Sequence, residues 1–336
     1  MHAVRLHAFG PAENLTYEET EAPEPGPGQV RIAVAAAGVH VIDTVFRQGL
    51  PGAGHQPPEL PTIPGREVAG TVDALGEGTD PAWLGRRVVA HLGMVPGGYA
   101  EVAVVAAEKL HEIPEGMDEG AAVAMIGTGR TTMGILRFAE PTADDPVIVT
   151  AAAGGICQLI VQYAKNAGAT VVGLAGGPTK VDHVRALGAD LTVDYKEDDW
   201  PTRVRAFLDA RGLPGATIAF DSVGGETGRA TALLLARGGR HLVFGKSSGM
   251  TGNDQPELDT VEAADLGITS QVVVGPPMLA NVGGPDPLRT LETESLAEAA
   301  AGRLVPAVHR FPLAEAAAAH RALENRGTIG KVVLIP

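Results

Sequence analysis

The stretch Thr150–Leu159, TAAAGGICQL, is the part of this chain best equipped for chemistry. An apolar run, Val147 to Val149, leads into it, and an amphipathic helical pattern starts directly after it. In that context a glycine-rich turn lets backbone N–H groups close on a pyrophosphate, held at the positive end of the following helix. Aligned with G-x-G-x-x-G, the segment puts Ala152, Gly154 and Cys157 at the three glycine positions. The middle position must be bare for the phosphates to approach, and Gly154 supplies that, with Gly155 beside it. The last position serves helix–strand packing. Cys157 is small and tolerates burial, so it reads as a packing residue rather than a redox thiol.

The next strand indicates which dinucleotide. A site for NAD ends that strand in Asp or Glu, which accepts from the ribose hydroxyls. Here VVGLAGGPTK ends in Ala175, Gly176 and Gly177, Lys180 follows, and Tyr195 closes the third strand. A missing carboxylate beside a cation favours a 2′-phosphate, hence NADPH. Elsewhere, Asp43 and Arg47 have the four-residue spacing of a helix-surface ion pair. Arg66 and Glu67 read as a structural pair, and Tyr99 as either a pocket or a core residue. The histidines other than His40 lack metal-ligand spacing and read as surface or packing residues. A single cysteine excludes an internal disulfide and every zinc site that needs two thiolates.

Two architectures must position these residues. Up to about residue 118, short β-like runs such as QVRIAVAAAGV, EVAGTVDALG and RRVVAHLG alternate with Pro/Gly-rich loops, the pattern of a β barrel or rolled sheet. Beyond it, apolar strands alternate with helical stretches of ten or more residues, which predicts a parallel sheet with helices on both faces. Two helix-like segments and a terminal strand, GKVVLIP, then return to the first architecture. The expected domains are residues 1–118 with 276–336, and 119–275 as an insertion. The chain has 336 residues, enough for about two domains. Its 45% hydrophobic and 20% charged composition suits a packed protein, and a net charge of −14 argues against a nucleic-acid surface. No apolar run reaches the ~18 residues that span a bilayer. The opening MHAVRLHAFG lacks a basic region followed by an apolar core, so the expected location is the cytoplasm, without membrane or nucleic-acid partners.

Taken together, AGVHVIDTVFRQGL, LPTIPGREVAGTVDALGEGT, TAAAGGICQLIVQYAKNAGA, ALGADLTVDY, FDSVGG, GGRHLVFG and GTIGKVVLIP resemble the medium-chain dehydrogenase/reductase superfamily, in its zinc-free quinone oxidoreductase (zeta-crystallin-like) branch. The resemblance covers nearly the whole chain. It implies a GroES-like catalytic domain carrying a Rossmann domain, with NADPH in the cleft between them and a quinone or α,β-unsaturated carbonyl as substrate. The cofactor positions it implies are Gly154, Gly155, Ile156, Gly176, Lys180, Tyr195, Phe244, Lys246 and Arg326. It places His40, where relatives carry Asn, and Thr131 beside the nicotinamide as the candidate catalytic residues. The zinc-ligand positions of the alcohol dehydrogenase relatives correspond to His40, Arg66 and Gly127 or Thr128, a set that no zinc would choose, so no metal is expected. Two tyrosines that some relatives place beside the substrate correspond to Val45 and Pro51. A homodimer is expected, with a tetramer also open, paired through TSQVVVG. The alternative from another class is an NADPH-binding protein without turnover, in a crystallin-like or sensing role.

Overall fold

A computed structural model of the chain describes residues 1–52, 55–93, 97–247, 258 and 260–336. They form two compact units, one of residues 1–130, 292–301 and 305–336, the other of 131–291 and 302–304. The junctions thus fall at 130/131 and 291/292, against 118/119 and 275/276 expected from the change of pattern. Among the described residues no helix is long and apolar enough to cross a membrane.

The first unit opens with a two-stranded ribbon, β1 (His2–Leu6) and β2 (Leu15–Glu19). The long strand β3 (Gln29–Val39) follows, then the short helix α1 (Val41–Arg47), and β4 (Glu67–Leu75), β5 (Arg87–His91), β6 (Val102–Ala106) and β7 (His111–Glu112). Strand β3 pairs antiparallel with β4 and β6, and its register slips between Arg31 and Ile32 and between Val34 and Ala36. Such bulges bend a strand and increase its twist, which rolls the sheet. At the second slip Gly70 lies against the β3 backbone so closely that a β-carbon there would collide with the Ala33 carbonyl. Helix α2 (Glu119–Val123) runs without a break through a π-helical turn (Ala124–Gly129) into α3 (Arg130–Leu136).

The second unit is a six-stranded sheet with every pairing parallel. Its elements alternate as β8 (Pro146–Val149), α4 (Gly155–Asn166), β9 (Thr170–Ala175), α5 (Pro178–Ala186), β10 (Leu191–Asp194), α6 (Trp200–Asp209), β11 (Ala216–Asp221), α7 (Gly225–Ala232), β12 (Leu235–Val243), α8 (Thr260–Leu266) and β13 (Thr269–Val272). The order across the sheet is β10-β9-β8-β11-β12-β13. Order therefore reverses between β8 and β11, the topological switch point where doubly wound sheets bind ligands. The sheet buries one apolar layer around Val147, Val171 and Phe220 and another around Ile148, Val172 and Trp200, so both faces are covered. Strand β12 starts inside what reads in the sequence as a continuous helix, because LLL suits a buried strand as well as a helix. Helix α9 (Pro276–Val282) stays with this unit, where Met278 and Leu291 close over Gly134.

The chain then returns through α10 (Pro287–Ala300), β14 (Val308–Pro312), α11 (Ala316–Glu324) and β15 (Lys331–Ile335). Strand β15 pairs antiparallel with β3, so the last residues complete the first unit's sheet, in the order β14-β15-β3-β4-β5-β7. That closure sets Lys331 beside the start of α1.

Gly70→Ala tests the rolled sheet. Backbone cannot retreat from the new methyl as a side chain could, so the variant should lose roughly 1–3 kcal/mol, read from its urea unfolding midpoint; an unchanged midpoint would mean that β3 and β4 are not this close.

Candidate active site

Strand β8 ends in a turn whose tightness comes from Ala151, at a φ of 44°, and from the Gly154 N–H donating to the Ala151 carbonyl at 2.8 Å. Gly154 caps α4 and Gly155 is its first residue. A twelve-residue helix thus presents its free N–H groups at the switch point, as anion binding requires. Ile156 is half-buried against the sheet. Cys157 is buried, its Sγ lies 3.4 Å from the Ser222 Oγ, and burial pushes the thiol up to about 12. It is a neutral packing residue.

At the end of β9, Gly177 has a φ of 93° and turns the chain sharply into α5. A β-carbon on Gly176 would stand 3.1 Å from the Tyr195 Oη and 3.2 Å from the Lys196 Cε. Two side chains from the end of β10 therefore lean over a bare position. Lys180 follows in the first turn of α5. The Asp194 carboxylate is spent on backbone, accepting from the Gly177 N–H at 2.9 Å and the Lys196 N–H at 3.0 Å. This leaves Tyr195, Lys196 and Lys180 as the polar groups of the corner, a set that fits a phosphorylated ribose. Lys196 was not foreseen; its position directly after Tyr195 is the signal that could have marked it. Phe244 is buried just past β12, and Lys246 is exposed beyond it. Arg326 belongs to the other unit, exposed at the end of α11 with a φ of 54°.

A second unforeseen group sits under the turn. Asp221, fully buried at the end of β11, accepts from the Thr150 hydroxyl at 2.9 Å and from the Val223 and Gly224 N–H groups. The His241 Nε2 lies 3.3 Å from its other oxygen, and the His241 Nδ1 meets the Ser270 Oγ on β13 at 2.9 Å. Burial alone would raise the Asp221 carboxyl, but His241 and the backbone donors hold it below its ordinary value. A β-carbon at Gly228 would collide with this carboxylate. The network fastens β8, β11, β12 and β13 together at the switch point. His241 is thus a hydrogen-bonding partner inside the sheet, not the ordinary packing residue expected.

The first unit holds the second candidate centre. His40 is the N-cap of α1, its backbone N–H donating to the Asp43 carboxylate at 2.8 Å. Its Nε2 lies 2.6 Å from the Glu67 Oε1 and 2.8 Å from the Lys331 Nζ, while Lys331 approaches the Glu67 Oε2 at 2.7 Å. Side-chain exposure is 0% for Glu67, 4% for Lys331 and 25% for His40. Gly38 and Gly127 flank the carboxylate so tightly that a β-carbon on either would collide with it. Burial would raise the Glu67 carboxyl, but His40 and Lys331 outweigh it and hold it well below the carboxylate range. Burial pushes Lys331 down, against the pull of Glu67.

Two expected pairings are therefore corrected. Glu67 does not pair with Arg66, because neighbours in an extended chain point to opposite faces. Arg66 instead lies 3.5 Å from Asp43 and covers the Phe46 ring. Nor do Asp43 and Arg47 form a surface pair. Both are buried; Arg47 reaches Glu324 on α11, and Asp43 takes the Tyr99 hydroxyl at 3.1 Å. Tyr99 is wholly buried, so it belongs to the core, and its Oη also lies 3.1 Å from the His320 Nε2. With the phenol donating to Asp43, His320 donates from Nε2, and its buried Nδ1 has no hydrogen-bond partner. Burial pushes His320 down to about 4. His111 is likewise not a plain packing residue, since its Nε2 meets Glu292 at 3.1 Å.

The zinc-ligand positions do not fit a metal. Arg66 brings a cation, Gly127 has no side chain, and the Glu67 carboxylate fills the space that a residue-127 side chain would need. Among the described residues no group of three His, Cys, Asp or Glu side chains could hold a metal ion. Thr131 lies in the first turn of α3, directly after the π-helical turn.

Residues 26–115 match the family model of the alcohol dehydrogenase GroES-like domain, and residues 187–334 match that of the zinc-binding dehydrogenases. The chain is 33% identical to a quinone oxidoreductase of Pseudomonas aeruginosa over 339 residues, 99% of both chains. It is 32% identical to a 2-haloacrylate reductase of a Burkholderia species, over 99% of this chain and 98% of that protein. Its fold matches the crystal structure of Escherichia coli quinone oxidoreductase complexed with NADPH at a TM-score of 0.84 and 28% identity, covering 100% of both chains.

The neutral His320 makes stability depend on pH. Its folded pKa lies below the ordinary 6.5, so the unfolded chain takes up a proton below pH 6.5 that the folded chain refuses until about 4. Stability is lost as pH falls through that window, by about 3 kcal/mol from this group. His320→Gln should lose that much less than the parent between pH 7 and pH 4, measured by urea unfolding at each pH. An equal loss in both proteins would refute the neutral, buried histidine.

Proposed function

The chain belongs to the medium-chain dehydrogenase/reductase superfamily, in its zinc-free quinone oxidoreductase branch, and from that premise we propose that it is an NADPH-dependent reductase of quinones or α,β-unsaturated carbonyls. The observation that carries this reading is the cofactor corner: a bare Gly154 heading α4 at the switch point, and a bare Gly176 overlooked by Tyr195 and Lys196. NADPH supplies a hydride, and the residues of this chain bind, orient and protonate. Gly154, Gly155 and Ile156 offer backbone N–H groups to the pyrophosphate. Gly176, Lys180, Tyr195 and Lys196 take the phosphorylated ribose, while Phe244 and Lys246 complete the cofactor contacts within the same unit. Hydride arriving at an electron-poor carbon leaves negative charge on oxygen, which a positioned donor stabilises. His40 and Thr131 are the donors in this reading.

The substrate class rests on the relatives. Quinones are conjugated carbonyl compounds, and an acrylate is an α,β-unsaturated acid, so both kinds of relative act on electron-poor conjugated systems. The exposed edge strand β13, with Val272 facing outward, suits pairing with a second copy in a homodimer or tetramer. A cytoplasmic location goes with this reading.

NADPH oxidation measured against a panel of quinones, enals and enones tests the activity; tight NADPH binding without turnover of any member would overturn it. Cofactor choice has its own test. A charge-assisted hydrogen bond is worth roughly 1.5–3 kcal/mol, so Lys180→Ala and Lys196→Ala should each raise the Kd for NADPH about tenfold to a hundredfold and leave NADH nearly unchanged. Equal losses for both cofactors would remove the 2′-phosphate from this corner.

A further inference from the structure

We propose that His241 is a positioning residue for the dinucleotide: from the outer part of the second unit's sheet it holds the Asp221 carboxylate, and through it the two turns that flank the switch point. Its link to the cofactor rests on the reading of the glycine turn as a pyrophosphate site. The hold on the turns stands on contacts within one unit.

Thr150 follows β8 directly, and Asp221 is the last residue of β11, the neighbouring strand across the reversal of order. The Thr150 hydroxyl donates to the Asp221 Oδ1 at 2.9 Å and accepts from the Ser222 N–H at 2.9 Å. A hydroxyl has one proton to give, so the carboxylate decides which way it turns and leaves its lone pair for Ser222. Ala151, at a φ of 44°, comes next and begins the turn that heads α4. The same Oδ1 takes the Val223 N–H at 2.9 Å and the Gly224 N–H at 3.1 Å, which shapes the turn into α7. A further contact, from the Cys157 Sγ to the Ser222 Oγ at 3.4 Å, joins the first turn of α4 to that second turn. The two turns are thus stitched to each other, and Asp221 is the knot.

The terminal torsion of an aspartate is soft, so the plane of its carboxylate is set by its partners. Oδ1 is met by the turns it serves. Oδ2 shares the Gly224 N–H at 3.2 Å, lies against Gly228 of α7 and meets the His241 Nε2 at 3.3 Å. Burial opposes the Asp221 charge, but His241 and the backbone donors outweigh it. The carboxylate can therefore only accept, and Nε2 must bring the proton. The ring is oriented in its turn. Strand register sets His241 beside Ala219 on β11 and Ser270 on β13, and its Nδ1 meets the Ser270 Oγ at 2.9 Å. A hydroxyl can donate to a bare Nδ1 or accept from a protonated one, so Ser270 keeps Nε2 toward Asp221 in either state. Orientation passes in this way from β13, the outermost strand, to the switch point.

Two amide side chains separate this role from plain packing. Glutamine at 241 can bring an N–H to where Nε2 stands, whereas asparagine reaches only to where Nδ1 stands. The Kd values of NADPH and NADH, measured by fluorescence titration where each variant is fully folded, are not moved by a loss of stability alone. His241→Gln should stay within about twofold of the parent, and His241→Asn should bind both cofactors roughly threefold to tenfold more weakly, the worth of one hydrogen bond. The loss should be the same for the two cofactors, because the pyrophosphate is common to them. In the protein without cofactor, the Ser222, Val223 and Gly224 amides should exchange faster with deuterium in His241→Asn and not in His241→Gln. Ser270→Ala, a milder change on the edge strand, should act as His241→Asn does by a smaller factor, at least about twofold, and carries the test if His241→Asn does not fold. Unchanged Kd values and exchange in His241→Asn, equal losses in the two amide variants, or a loss confined to NADPH would each overturn the proposal. A parent protein that binds neither cofactor would sink the dinucleotide reading, while an exchange difference between the two amide variants would still uphold the hold of His241 on the turns.

Discussion

The first unit is organised around one buried carboxylate. Glu67 has no exposed surface, and its charge has been taken out of water between two glycines that leave no room for hydration. Such a charge is tolerable only with partners at contact distance, and removing one partner of a buried pair typically costs ~3–5 kcal/mol. Four elements meet that demand together. Strand β3 brings Gly38, the π-helical turn brings Gly127, α1 brings its cap His40, and β15 brings Lys331 from the far end of the chain. The return of the last strand to β3 is therefore more than sheet closure, since it delivers the cation without which Glu67 could not be buried as an anion. It also explains why a basic residue opens a terminal strand whose remaining positions are apolar.

The second unit repeats the device on a smaller scale. Asp221 is as buried as Glu67 but is met mostly by hydrogen-bond donors: a hydroxyl from the end of β8, two backbone N–H groups of its own turn, and one histidine. Donors of this kind cost less desolvation than a second full charge, and they fix geometry more tightly because each is directional. The strands they tie together are those that flank the switch point. The glycine turn at the head of α4 is thus held from below by a buried carboxylate.

What the sequence disclosed follows the range of the forces involved. Alternation of strand and helix, the glycine turn and the absence of an acid after β9 are local patterns, and each is present in the structure where its residues stand. Long-range pairing is invisible to such patterns. The spacing of Asp43 and Arg47 satisfies a rule for exposed helix faces, yet α1 is covered, so each residue finds a partner from another element. Adjacent Arg66 and Glu67 invite pairing on paper, but an extended chain sends them to opposite sides, and the true partner of Glu67 lies in the final strand. The roles of Asp221 and His241 were missed for the same reason: a buried network is a property of four strands, none of which carries it alone.

These packing facts also decide the chemistry open to the site. A metal centre at these positions would need a ligand side chain at residue 127 or 128; the Glu67 carboxylate already occupies the space where a β-carbon at 127 would be, and residue 128 is a threonine. It would need a neutral or anionic donor at residue 66, where an arginine is held by Asp43. The His40 Nε2 is turned toward Glu67 and Lys331. A thiol at 127 would displace Glu67, and displacing Glu67 would strand Lys331 as an unpaired buried cation. A dication polarises a carbonyl as a Lewis acid, whereas hydrogen-bond donors do so by pointing N–H or O–H groups at the developing charge.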